Sequence, residues 1–376
     1  MLSVLICTLC GFTGFYLLMA TVPEYAAESS GNKATAGVVT GVLMAATVAV
    51  QPAMPRILSR IGYRLALVIA MFLLGLPVVL FAFFANFNLI VLCSALRGLG
   101  FGVFVVASSA AVADLAPAER RGQATGWYGV ATGLGGAAGT PFGVLLAHQF
   151  GYLPLFVAGF VMPMLGLIAA LGITAPRPTP SSRPRVLTGL RRPALLYPFV
   201  LLSAGTMASG AIVTFLPIAA PRDPVWVAPI ALLLFQLALA GSRWLAGRIG
   251  DRFGNQLLLL PATLLTAVGI LGGTVAEHVP ALLLLMLVLG TGAGALQNAT
   301  LVLMLQRSGP SGGSVASAQW NLAFDAGLGI GGFCVGVIAQ NTSYPVGFVA
   351  VAVVLLATTF VALADAKSNR ENRDDD

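Results

Sequence analysis

Arg60-Ile61-Gly62, set between two long apolar runs, returns 192 residues later as Arg252-Phe253-Gly254. The same offset carries Gly98, Gly100 and Gly102 onto Gly290, Gly292 and Gly294. Spacing repeated in this way, in a chain that is 58% hydrophobic, points to two copies of one membrane unit joined in series. Two-fold repeated helical membrane proteins are mostly carriers, so the repeat narrows function before any catalytic motif is sought.

Composition agrees with a membrane setting. Only 9% of residues are charged, and the mean hydropathy is +0.92. A soluble domain carries about 25% charged residues, so most of this surface must face lipid. The 44 glycines fit, because glycine is more frequent in membrane helices than in soluble ones. Cys7, Cys10, Cys93 and Cys334 all lie inside apolar runs. Cys7-x-x-Cys10 has redox or metal-ligand spacing but no second ligand pair. It reads as small apolar residues in a helix, with neither a metal site nor a disulfide framework.

At about 20 apolar residues per crossing, twelve runs can be placed: 2–21, 35–54, 64–84, 88–112, 124–147, 152–174, 195–219, 226–246, 256–275, 280–305, 315–339 and 343–364. The expected fold is an all-α membrane protein of 12 transmembrane helices in two six-helix pseudo-symmetric bundles, 1–175 and 195–366. Between them, 176–194 begins Pro176-Arg-Pro-Thr-Pro-Ser-Ser-Arg-Pro-Arg, a composition that favours an extended basic linker over a domain. Residues 367–376 form a charged tail.

A formal charge of +7 would suggest nucleic acid in a soluble protein. Here the basic residues sort by side instead. If the even-to-odd loops face the cytoplasm, that side receives 17 of the 20 Lys and Arg. The opposite side has Lys33 and Arg222, and Arg97 lies within a helix. This positive-inside signature places both termini in the cytoplasm of a multi-pass inner-membrane protein. The partner it implies is the bilayer, not nucleic acid. The first run has neither a positive n-region nor a clear cleavage site, and so reads as a retained helix rather than a signal peptide. Its abrupt, uncharged start leaves open a start codon upstream of Met1.

The six-plus-six plan with a basic central linker resembles the major facilitator superfamily of secondary transporters. The strongest local match is Gly247-Arg-Ile-Gly-Asp251-Arg252-Phe-Gly254-Asn-Gln256. It is similar to the family's cytoplasmic-loop motif of glycine, three residues, Asp-Arg, any residue, glycine. The first-half counterpart keeps Arg60, Gly62 and Arg64, with Pro55 in place of the first glycine and Ser59 in place of the aspartate. Glycine permits a tight turn between helices. Asp and Arg there can cap helix ends and form ion pairs that hold one conformational state closed, which makes the second copy the more complete gate. The alternative is that these charges only set topology.

Arg97-Gly98-Leu-Gly100-Phe-Gly102 resembles the family's fourth-helix motif, in which an arginine precedes the glycine pair by one turn. Aligning the glycines puts Ser94 at the arginine's place and Arg97 three residues later. In related drug–proton antiporters that arginine is implicated in proton coupling. Arg97 lies about 9 residues, or ~14 Å, into its helix. A guanidinium at that depth is costly and by default functional; the alternative is a structural partner to helix carbonyls or to a carboxylate. The fifth helix reads Gly126-x8-Gly135-x3-Gly139-Thr-Pro141-Phe-Gly143, close to the antiporter signature of that helix with the proline one place late. Gly135, Gly139 and Gly143 share a face that another helix can approach closely, and Pro141 can kink the helix. Generic small-residue packing is the alternative.

Asp325 is the most expensive residue of the second half, about 10 residues into helix 11 and one turn after Asn321. A carboxylate at that depth is a candidate for loading and releasing a proton. A permanently paired or protonated structural Asp is the alternative, with Arg97 one conceivable partner. Gln297, Asn298 and Thr300 on helix 10 either line a cavity or hydrogen-bond between helices. Phe15, Tyr16 and Met19 on helix 1 offer an apolar binding wall, or else core and lipid contacts. Glu24, at the outer end of helix 1, is either an entry-side proton acceptor or a solvated end charge. His148 and His278 sit at outer helix ends and provide no His-rich metal site or proton relay.

Taken with the resemblance, these residues imply a secondary active transporter: proton-coupled efflux of small drug-like or metabolite molecules by alternating access, in a chain that works singly without cofactor or metal. The alternative on the same fold is an importer of a small anionic or neutral solute, with Arg97 as its counter-charge. No G-x-x-x-x-G-K-[ST] loop is present for direct ATP drive. No catalytic cluster marks a membrane enzyme. A sensor or scaffold would bind ligand without counterflow.

Overall fold

The structure, a computed structural model, describes residues 1–117, 120–174, 192–220, 224–309 and 313–374. Most of the expected linker 176–194 lies outside the described residues, as do Arg177, Arg183, Arg185, Arg191 and Arg222. Helices α1 (Leu2–Met19), α2 (Thr21–Ser30), α3 (Lys33–Val50), α4 (Met54–Phe81), α5 (Phe87–Leu115), α6 (Arg121–Phe150) and α7 (Tyr152–Leu171) fill the first half. The second half holds α8 (Pro193–Ala219), α9 (Val227–Phe253), α10 (Gln256–Ile270), α11 (Val279–Arg307), α12 (Gly313–Asn341) and α13 (Tyr344–Asp374). Helix is the form in which a lipid-embedded chain satisfies every backbone polar group within the segment. Several buried threonine hydroxyls bond within their own helix, as when Thr8 donates to Val4 O at 2.8 Å and Thr266 to Ala262 O at 2.7 Å.

Among the described residues, eleven helical stretches are long and apolar enough to cross a membrane, against the twelve runs expected. The difference lies between Lys33 and Phe81, where two expected runs join in one stretch of 49 residues. The segment between them stays helical rather than looping out. Its only interruptions are a 3-10 turn at Gln51–Ala53 and Gly62, with φ 76° and ψ 171°. The first stretch also continues past the expected boundary at residue 21, reaching Ser30 across a break at Ala20. Large apolar side chains such as Leu92, Ile168, Leu284 and Phe360 point outward, the inverse of a soluble surface. This is a multi-pass membrane protein.

The chain divides into two compact units, Met1–Arg183 with Arg222–Pro229, and Pro184–Pro221 with Ile230–Asp376. In the first unit, α1 packs on α6 and α7, while α4 packs on α5 and α7. In the second, α8 packs on α12 and α13, while α10 packs on α11 and α13. The packing plan therefore repeats along with the sequence.

The offset of 192 survives down to single atoms. A Cβ added to Gly98 would fall against Leu43 O and Ala46; on Gly290 it would fall against Phe235 O and Ala238. At Gly100 the obstacles are Ala70 O and Leu74, and at Gly292 they are Ala262 O and Thr266. At Gly102 they are Thr47 O and Val50, and at Gly294 Leu239 O and Ser242. Each obstacle in the second unit is the residue 192 positions beyond its counterpart. Hydrogen bonds reinforce the close approach: Thr47 Oγ1 donates to Gly98 O at 3.0 Å and Ser242 Oγ to Gly290 O at 3.3 Å.

Gly62 and Gly254 also share a backbone state, with φ of 76° and 95°. L-residues rarely adopt positive φ, because Cβ meets the following carbonyl. Gly254→Ala is expected to cost about 1–2 kcal/mol, read as a lower thermal unfolding midpoint. Gly254→Asn should recover part of the loss, because Asn tolerates positive φ.

Candidate functional site

In the first unit, α5 carries Arg97 to a fully enclosed position with 1% exposure, about 10 residues or ~15 Å from the helix start. Its Nε and Nη2 have no hydrogen-bond partner among the described residues, nor does Ser94 Oγ one turn earlier on the same helix. Close by in sequence, Phe101 stacks on Phe15 of α1 with ring centroids 3.5 Å apart. Phe12, Tyr16, Phe104 and Tyr128 extend this aromatic group, and Ser108 Oγ and Tyr128 OH lie 3.3 Å apart. Phe15 and Met19 are buried and Tyr16 is half-buried. The first unit thus carries a buried cation one turn before Phe101, a member of this ring cluster, on the same helix.

The glycines of α6 bring α1 against that helix. A Cβ on Gly135 would stand 2.7 Å from Phe12 Cβ, and one on Gly139 2.7 Å from Tyr16 Cβ. On Gly143 it would run into Leu17 O. Pro141 lies inside α6, which continues to Phe150.

In the second unit the polar side chains come from α9, α11 and α12. Asp325, on α12, is 3% exposed. Gln297 accepts a hydrogen bond from Arg243 of α9, while Trp320 Nε1 donates to Gln297 O at 3.2 Å and to Thr300 Oγ1 at 3.3 Å. Gln297 and Thr300 therefore bind neighbouring helices. Arg243, counted by sequence with the charges of the loop side, lies within α9 and meets a mid-helix amide. Asn321 Nδ2 turns back to Ser317 O at 3.0 Å. Asn298 faces Gly247, whose added Cβ would be 3.7 Å from its Nδ2.

The gate motif needs a correction. Gly247, Asp251 and Arg252 belong to α9, and only Gly254 leaves the helix. The helix persists because nothing before Gly254 forces positive φ or removes an amide donor. Asp251, Arg252, Arg60 and Arg64 are exposed, while Gly62 is buried. At this end of the first unit, Tyr63 donates a hydrogen bond to Asp114 of α5. In the second unit, Arg307 makes a two-pronged pair with buried Asp365, at 2.6 and 2.8 Å, and also donates to Ala194 O. That arginine, at the end of α11, bonds both the start of α8 and the interior of α13, a role beyond setting topology.

Of the two readings open for Glu24, the solvated end charge is excluded. Glu24 is 1% exposed, with Oε1 2.8 Å from His148 Nε2 on α6. The two sit 124 residues apart. Two local signals point to the pair: α2 places Glu24 and Glu28 one turn apart, and α6 ends with His148 and then Gly151 at φ 82°.

The Major Facilitator Superfamily sequence model matches residues 4–223 and 226–375. A chloramphenicol resistance protein of Streptomyces lividans is 27% identical over 87% of this chain and 86% of its own length. Multidrug resistance protein MdtG of Escherichia fergusonii is 25% identical over 96% and 93%. The crystal structure of nucleoside transporter NupG superposes with a TM-score of 0.77 at 14% identity, covering 97% of this chain and 98% of that one.

Proposed function

The chain belongs to the major facilitator superfamily, and from that premise we propose that this transporter is a proton-coupled exporter of small drug-like or metabolite molecules. The observation that carries the reading is a buried ionisable group about three turns inside a long apolar helix in each unit, Arg97 on α5 and Asp325 on α12. Ionisable side chains inside a membrane span mark substrate and proton pathways by default. The two relatives named for drug resistance, matched over nearly their full lengths, support export.

The stretch Lys33–Phe81 is read as two crossings. Its 49 residues would extend ~73 Å as one straight helix, more than twice the ~30 Å hydrocarbon core. That makes twelve spans, in bundles 1–175 and 195–366. The positive-inside asymmetry puts both termini in the cytoplasm and the protein in the inner membrane. The two units alternate access to a substrate bound near mid-membrane. Asp325 takes up a proton from outside as cargo leaves, and gives it to the cytoplasm as new cargo binds. The exposed charges Arg60, Arg64, Asp251 and Arg252 belong to the gate on the cytoplasmic side, and the working unit is a single chain.

In proteoliposomes, collapsing the proton gradient is expected to stop substrate accumulation. Asp325→Asn should keep substrate counterflow while losing gradient-driven accumulation. Accumulation indifferent to the gradient, or full activity in that variant, would overturn the reading.

The guanidinium nitrogens of Arg97 that lack a partner favour a second reading, import of a small anionic or neutral solute with Arg97 as counter-charge. The direction of flux in oriented vesicles separates the two.

A further inference from the structure

We propose that Arg248, backed by the Trp244 ring and joined by Arg252, binds the phosphate of an anionic phospholipid at the end of α9. Trp244, Arg248 and Arg252 stand four apart on that helix and so share one face. The face is turned away from α11. Ser242 is the α9 residue that meets α11, since a Cβ on Gly294 would strike its hydroxyl. Trp244 and Arg248 lie about 200° and about 240° around the helix from it. Ile230 and Leu237 continue the same face towards the other end, both exposed. Read along the helix, the face is apolar, then aromatic, then cationic.

Helix length sets the depth of each part. The 27 residues of α9 extend ~40 Å, against a hydrocarbon core of ~30 Å. Counted from Val227, Trp244 lies ~25 Å along and Arg248 ~32 Å. The ring therefore falls at the edge of the hydrocarbon, and the guanidinium where phosphates begin. Tryptophan is enriched at that level because its body is apolar and its edge polar. Trp244 is 61% exposed, an area that acyl chains would cover.

The arginines are arranged to receive an anion. Arg248 Cζ sits 3.7 Å from the centroid of the Trp244 ring. Stacking occupies one face of the guanidinium and leaves its in-plane N–H donors at the edge. Arg252 Cζ lies 5.2 Å from the centroid of the Phe253 ring, which is also exposed. Among the described residues neither arginine is paired with a carboxylate, although Asp251 stands exposed between them in sequence.

Two unpaired cations at phosphate depth complement an anionic headgroup, and a guanidinium can hold two phosphate oxygens at once. A zwitterionic headgroup fits less well, because its ammonium offsets the attraction. A dissolved anion would meet the cations and leave Trp244 bare, whereas a phospholipid supplies phosphate and acyl chain together. The inference goes beyond transport. Only its assignment to the cytoplasmic leaflet rests on the orientation proposed above. Arg252 already belongs to the proposed gate, so the tests rest on Arg248 and Trp244.

The full chain in neutral detergent, titrated with lipid and read by native mass spectrometry, is expected to prefer phosphatidylglycerol to phosphatidylcholine by about 10-fold or more. Arg248→Gln should weaken phosphatidylglycerol binding by about 5-fold, the effect of one arginine at the surface. Arg120→Gln removes the same charge from an exposed position in the first unit and should leave the affinity unchanged. In lipid nanodiscs, tryptophan fluorescence should be quenched more by brominated phosphatidylglycerol than by brominated phosphatidylcholine. That excess should vanish in Trp244→Leu. Equal affinity for the two lipids, equal losses in Arg248→Gln and Arg120→Gln, or an excess that survives Trp244→Leu overturns the proposal. Displacement of the lipid by inorganic phosphate also overturns it, by revealing a site for soluble anions. The quenching comparison uses the native chain and so stands even where a variant fails to fold. A protein that moves no substrate would refute the transporter reading while these measurements still decide the lipid site.

Discussion

Gly98→Ala is expected to lower the thermal unfolding midpoint by about 1–4 °C, and Gly290→Ala by a similar amount. At both positions the new methyl group would enter the contact shell of a backbone carbonyl, Leu43 O in one unit and Phe235 O in the other. A flexible side chain could swing away, but a carbonyl within a helix cannot. The two helices must separate, and overpacking of this kind costs ~1–3 kcal/mol. In a membrane the loss is sharper, because helix association there relies on close contact between small residues rather than on expulsion of water. Separation would also stretch the Thr47–Gly98 and Ser242–Gly290 hydrogen bonds. Gly126→Ala supplies the control. Its added Cβ meets nothing within 4 Å, and alanine favours helix by ~1 kcal/mol, so the midpoint should hold or rise. Unequal effects at Gly98 and Gly290 would show that the two units do not share this contact in the working protein. Scanning fluorimetry on the three purified variants is sufficient.

These glycines were legible in the sequence because a constant offset between them needs no knowledge of partners. The helices were legible because apolar runs of membrane length are local signals. Runs end in sequence where polarity begins, and that is where the reading stopped short. The first run closes at residue 21 because Pro23, Glu24 and Glu28 follow. The chain nevertheless carries on to Ser30, since Phe81, His148 and Tyr152 come from distant positions to satisfy those groups. The same distance hides Arg243 on Gln297, and Arg307 on Asp365. Arg307 does close its helix, whereas Arg243, counted by sequence with the loop charges, lies within α9. The second role of each depends on which helix lies beside it. A charge count can register an arginine's side of the membrane but not its partner.

Arg97→Met should raise the midpoint while reducing transport by 100-fold or more, a combination that separates the two roles open to this residue. A structural arginine holds its neighbours through hydrogen bonds, and removing it strands them, typically at a cost of ~3–5 kcal/mol for a buried pair. Arg97 is enclosed to 1% exposure with Nε and Nη2 unsatisfied among the described residues, and Ser94 Oγ beside it is unsatisfied too. A buried charge in that condition destabilises the state that contains it. Methionine keeps much of the volume and the flexible stem, so substitution removes the desolvation penalty without opening a large cavity. Such strain persists in functional proteins where it contributes to mechanism. Here it would be relieved when a carboxylate, phosphate or carbonyl oxygen of the cargo reaches the guanidinium. Arg97→Lys should fall between, since ammonium keeps the charge and loses the planar fork. A lower midpoint for the methionine variant assigns Arg97 to structure. A raised midpoint with transport intact removes it from the site. Ser94→Ala should weaken transport less, about 10-fold or below, because a hydroxyl contributes one hydrogen bond and no charge.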